Sequence, residues 1–163
     1  MLSHRTTKIL IALTLAVCAL GLGAQMLPNP YGPPIGVENA KKAAAAALAE
    51  AVKNHWNMAV AVVEPNGTLV YYEKMDNTQI GSANVSIEKA RTAAQFKRAT
   101  KTFQDGLAAG GPGLRILGLP GVTPVEGGIP IIADGKIIGA IGVSGDTSDN
   151  DGKCAQAGAA TIK

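Results

Sequence analysis

Ile129-Pro130-Ile131-Ile132-Ala133-Asp134-Gly135-Lys136-Ile137-Ile138-Gly139-Ala140-Ile141-Gly142-Val143 is the stretch that decides the fold class. Two apolar runs rich in β-branched residues flank Asp134-Gly135, and Asp-Gly suits a two-residue type I′ turn, whose twist matches the strands it joins. The stretch therefore reads as a β-hairpin. A second hairpin lies upstream, where Met58 to Val63 and Thr68 to Tyr72 enclose Glu64-Pro65-Asn66-Gly67. Pro65 presets φ for a type I turn and Gly67 supplies the left-handed residue after it, which predicts a one-residue bulge.

Around the hairpins the sequence changes period. Val37 to about Asn54 is built from Ala, Lys, Glu and Leu, all good helix formers, with Leu48 and Val52 one turn apart. Ser82 to about Thr100 places Ile87, Ala90 and Ala94 on one helical face, and Phe103 with Leu107 extends the pattern into a short second helix. Gly106 to Gly128 is rich in Gly and Pro around the apolar insert Leu114 to Leu119, expected to be an edge strand wrapped by loops. Ser148 to Ile162 reads as a closing helix. Helix, hairpin, helix, loop, hairpin, helix gives an α+β domain, an antiparallel sheet with helices packed on it.

The N-terminal end is organised differently. Arg5 and Lys8 precede an apolar run from Ile9 to Leu20, and Gly21 to Gln25 is small and turn-prone, which is the pattern of a signal peptide over residues 1–24. The run is shorter than the roughly 20 residues of a spanning helix, so no stable membrane span is expected. The expected location is periplasmic or secreted. Residues 25–36 hold four prolines and two glycines and read as an extended arm before a domain at 37–163.

Charge and composition exclude several functions. Loss of Arg5 and Lys8 with the leader leaves 13 of the 15 basic side chains against 12 acidic ones, and aromatics make up only 4%. A net charge so close to zero gives no case for nucleic acid, and the aromatics are too few and scattered for a stacking platform. Beyond the leader there is one His, His55, and one Cys, Cys154, so one chain cannot assemble a multi-His zinc site, a thiolate cluster or an internal disulfide. Gly110-Gly111-Pro112-Gly113 lacks the Gly-Lys-Ser/Thr of a phosphate loop, and Gly142-Val143-Ser144-Gly145 lacks the spacing of a nucleophile elbow. Two features point to ligand chemistry. Lys89, Arg91, Lys97, Arg98 and Lys101 form a basic stretch suited to carboxylates, and Gly127-Gly128 before the apolar run allows close backbone approach.

Three segments together resemble the GlcG/HbpS-like family: Glu88-Lys89-Ala90-Arg91-Thr92-Ala93-Ala94 with Phe96, Glu126-Gly127-Gly128-Ile129-Pro130-Ile131, and Asp134-Gly135 with Ile138 to Gly145. The resemblance spans nearly the whole domain and implies a profilin-like sheet of about five antiparallel strands flanked by helices. It also implies non-covalent haem b binding and a homo-oligomer, with a small organic acid as the alternative ligand, for a binding protein more than an enzyme. Under the haem expectation His55, beside Trp56, is the candidate iron ligand, with Met58, Met75, Tyr71, Tyr72 and Cys154 as rivals. Lys89, Arg91, Glu126, Gly127 and Gly128 are the candidate binding residues. With a small acid, Lys89, Arg91 and the Gly127-Gly128 backbone would hold the ligand and Glu126 would be a possible general base.

Overall fold

The computed structural model describes residues 28–163. The proposed signal peptide, residues 1–24, lies outside the described residues. The elements are α1 (Val37–Lys53), β1 (Ala59–Val63), β2 (Leu69–Lys74), α2 (Ser82–Gln95), α3 (Lys101–Ala108), a 3-10 segment (Gly111–Gly118), β3 (Gly128–Ala133), β4 (Lys136–Ser144) and α4 (Ser148–Ala159). The strands form one antiparallel sheet in the order β2-β1-β4-β3. Both hairpins follow from their turns. Asp134 and Gly135 have φ of 48° and 71°, as a type I′ turn requires; Gly67 at φ 91° closes the other turn, its N–H donating to Glu64 O at 2.9 Å, and the register shift at Val62/Val63 leaves Val70 as the extra residue of β2.

The α+β class holds, but the sheet has four strands and not about five. Leu114 to Leu119 is not an edge strand. Gly110 and Gly111 both have left-handed φ, of 66° and 52°, and turn the chain back onto α3, where a Cβ on Gly113 would stand 1.8 Å from the Gly106 carbonyl oxygen. Pro112 then begins a tight helical segment that packs against α3. A short piece of the N-terminal arm lies where an added strand would. Ile137 N–H donates to Pro30 O at 2.8 Å, Gly32 N–H to Ile137 O at 2.8 Å and Ile35 N–H to Ile138 O at 2.7 Å, all along the part of β4 that β1 does not reach.

Alternating side chains of the central strands face two layers. Val60, Val62, Ile141 and Val143 pack with Ala40, Ala43, Ala44, Ala47 and Ala51 of α1 and with Cys154 and Ala155 of α4. Val63 and Ala140 meet Ala90, Ala93 and Ala94 of α2 on the other face. Helix α2 can lie this close because Gly142 has no Cβ; one placed there would come within 2.0 Å of Ser86 O and 2.5 Å of Ala90 N. The close seating of α2 sets the depth at which Lys89, one residue before Ala90, enters the molecule.

Candidate functional site

A cavity of about 740 Å³ opens between the start of α3, the start of β3 and one side of α4, with Lys101, Glu126, Gly127, Gly128, Ile129 and Lys153 in its wall. Its floor is built by backbone. Gly127 has φ +125°, which L side chains rarely adopt, and its carbonyl accepts from Val143 N–H at 2.8 Å. Gly128 N–H donates to Thr100 Oγ1 at 2.8 Å and its carbonyl accepts from Thr100 N–H at 2.9 Å, tying the first residue of β3 to the start of α3.

Directly under this floor lies Lys89, 1% exposed, with Nζ 2.7 Å from Asp151 Oδ2 and 3.1 Å from Val143 O. A Cβ on Gly127 would stand 2.9 Å from Lys89 Nζ, so backbone alone separates the ammonium from the cavity. Burial lowers the Lys89 pKa from its ordinary value, and Asp151, 3% exposed, opposes that shift. Lys89 is thus a buried structural cation whose partner, Asp151, was not singled out by sequence. An Asp in the first turn of a helix reads as a partner for the helix dipole, which hides a buried role.

Glu126 lines the cavity, its backbone N–H bonded to Gln104 Oε1 at 2.8 Å. Its carboxylate lies over Gly152 of α4, where a Cβ would meet Oε1 at 2.5 Å. Glu126 Oε2 is buried with no hydrogen-bond partner of acceptable geometry among the described residues. Lys101 Nζ is 3.3 Å from it, an ion-pair distance, but bonds Asp105 Oδ1 at 3.0 Å; Asp105, then Glu126, raise the Lys101 pKa. Lys153 differs: its Nζ is 3.0 Å from Asn150 Oδ1 and 5.5 Å from the centre of the Trp56 ring, with no carboxylate at ion-pair distance among the described residues. Asp149 and Gln156 complete the α4 wall. Asp149 and Lys153, one turn apart and separated by Gly152, were the signal available in sequence for this side of the cavity.

The remaining candidates are placed elsewhere. Arg91 is half-buried on α2, bonded to Glu88 Oε1 at 2.6 Å and to Gly67 O at 3.1 Å, over the β1–β2 turn. His55 is exposed and is not in the cavity wall. It caps α1: His55 N–H donates to Val52 O and Trp56 N–H to Ala51 O, a Schellman motif with His55 at φ 60°. Of the rivals, Met58 and Cys154 are fully buried, burial pushes the Cys154 thiol up to about 12, and Tyr71 OH donates to Glu73 Oε2 at 2.6 Å. Among the described residues no group of three or more His, Cys, Asp or Glu could hold a metal ion, and no helix is long and apolar enough to cross a membrane.

Comparison with known proteins gives concordant matches. A family model described as haem degrading protein HbpS-like matches residues 35–160. The chain is 41% identical over 100 residues to protein GlcG of Escherichia coli K12, covering 61% of this chain and 73% of that one. Its fold is similar to a crystal structure of a double mutant of Streptomyces reticuli HbpS, with TM-score 0.73, 32% identity and coverage of 86% of this chain and 93% of the other. It is also similar to a crystal structure of PduOC in complex with haem, with TM-score 0.71, 26% identity and coverage of 80% and 96%.

Proposed function

We propose, from the premise that this chain belongs to the haem degrading protein HbpS-like family, that it is an exported binding protein that holds haem b reversibly and without a covalent bond. The observation that carries the reading is the cavity between α3, β3 and α4. Its volume is of the order that holds a cofactor, and it joins an apolar wall from Ala99 and Ile129 to two lysines. The residues fit the edges of the group: Ile129 and the Gly127-Gly128 backbone would lie against the ring, and Lys101 and Lys153 would meet the propionates by charge-assisted hydrogen bonds. Bound haem would supply an iron centre open to ligation and redox change.

Among the described residues the wall supplies no imidazole, thiolate, thioether or phenol. An iron ligand of those classes would come from outside it, and exposed His55 is the imidazole to test. The small-acid alternative would use the same cavity through Lys101 and Lys153 rather than Lys89 and Arg91, because Lys89 is sealed beneath Gly127 and Arg91 is on another surface. Export rests on the leader pattern of residues 1–24.

Haem titration of the purified mature protein, followed at the Soret band, tests the proposal. The expected result is a saturable shift, weakened in Lys153→Ala with circular dichroism unchanged. His55→Ala decides the ligand: an altered band assigns His55 to iron, and an unchanged one removes it. No saturable change in the wild type would end the haem reading.

A further inference from the structure

The two lysines that would receive an anion are unequal. Lys153 faces an aromatic ring and an amide oxygen, whereas Lys101 sits between Asp105 at 3.0 Å and Glu126 at 3.3 Å. Asp105 is exposed, and water screens its hold on Lys101. Glu126 is different: its side chain is 18% exposed and Oε2 is shut off from water without a hydrogen bond. Such an oxygen has given up hydration for the Lys101 ion pair alone, so any donor entering the cavity is drawn to it and any carboxylate is repelled. The glutamate is also held in place, by Gln104 on its backbone N–H and by the missing side chain of Gly152.

We infer that Glu126 is the specificity-determining residue of the cavity, a resident competitor that occupies Lys101 and sets how tightly a ligand carboxylate can be held there. The inference rests on the proposed occupancy of this cavity but not on iron. A ligand with two carboxylates pairs readily with Lys153, but its second must displace Glu126 from Lys101. A ligand with one carboxylate and a hydroxyl or ammonium group satisfies Lys153 and Glu126 together. This gives a built-in reason for haem, with two propionates, to be bound reversibly.

The test compares the wild type with Glu126→Gln, which keeps shape and removes charge, and repeats both in a Lys101→Met background. Haem, iron-free protoporphyrin IX and succinate are the probes. Porphyrins are followed by absorbance, and succinate by the amide NMR shifts of Gly127, Gly128 and Gly152. Expected for Glu126→Gln is binding of any probe that binds, tighter by about threefold or more at low salt and converging on the wild type at high salt. The gain should vanish in Lys101→Met, which a general effect on folding would not do. Equal or weaker binding by Glu126→Gln, with circular dichroism unchanged, would overturn the inference and leave the haem reading standing. If neither porphyrin binds either chain but succinate binds Glu126→Gln more tightly, the haem reading falls and the inference holds. If no probe binds either chain, both fall.

Discussion

His55 closes α1 in the left-handed conformation at φ 60°, a place that glycine fills without strain. Replacing it with glycine should raise stability by about 1 kcal/mol, read as a higher urea midpoint, and a haem band lost in the same variant would assign its ring a second task. Cys154 makes the opposite case. Its thiol is fully buried and pushed up to about 12, so native protein lacking the leader and its Cys18 should resist a disulfide reagent at pH 8 and react once per chain only after denaturation. The folded value lies above the ordinary 9.0, so the folded state keeps its proton longer; what the thiol contributes is present below about pH 9 and is lost as pH rises towards 12. At this scale the sequence was legible only in part. Gly127-Gly128 before an apolar run announced close backbone approach, and the structure puts Glu126, Gly127 and Gly128 in one cavity wall. Lys89 was not legible as a buried group, because a Lys among Arg91, Lys97, Arg98 and Lys101 reads as a solvated face. Asp151, 62 residues onward, makes its burial tolerable together with the Val143 carbonyl.

Elements defined by local turn chemistry were readable, and those defined by tertiary contact were not. Both hairpins follow from four or fewer residues at their turns, and α1 from its composition. The end of α2 at Gln95, short of the expected Thr100, depends on Lys97 turning left-handed at φ 56°, which charge patterning does not announce. The 3-10 segment depends on Gly113 docking against Gly106. Seating of α2 on the sheet offers the sharpest test of element packing. Gly142→Ala drives a Cβ into Ser86 O and Ala90 N, and the strand and helix must part. The expected loss is about 1–3 kcal/mol, measured by urea unfolding, and haem affinity should fall with it because Lys89 belongs to the displaced helix.

Across the whole molecule both sheet faces are covered, by α2 on one side and by α1 with α4 on the other. Among the described residues no further strand pairs with the edges β2 and β3, and Ile80 at 91% and Leu117 at 70% exposure stand in water. We expect these to be covered by further copies, so light scattering at micromolar concentration should report a dimer or larger; a monomer whose mass is unchanged on concentration would refute it. Residues 30–35, bound to β4 by a few hydrogen bonds, carry a consequence for the order of assembly. Asn29 Nδ2 bonds Gly135 O across 106 residues. The arm is made early in synthesis, and Tyr31 OH can meet Ala94 O and Gln95 O once α2 exists, but the arm's backbone groups have no partner until β4 is in place, and closing so long a loop costs entropy. The same seam should therefore open first: in native-state hydrogen exchange the Gly32 amide should exchange well before that of Val62, and equal protection would show that arm and sheet form one cooperative unit.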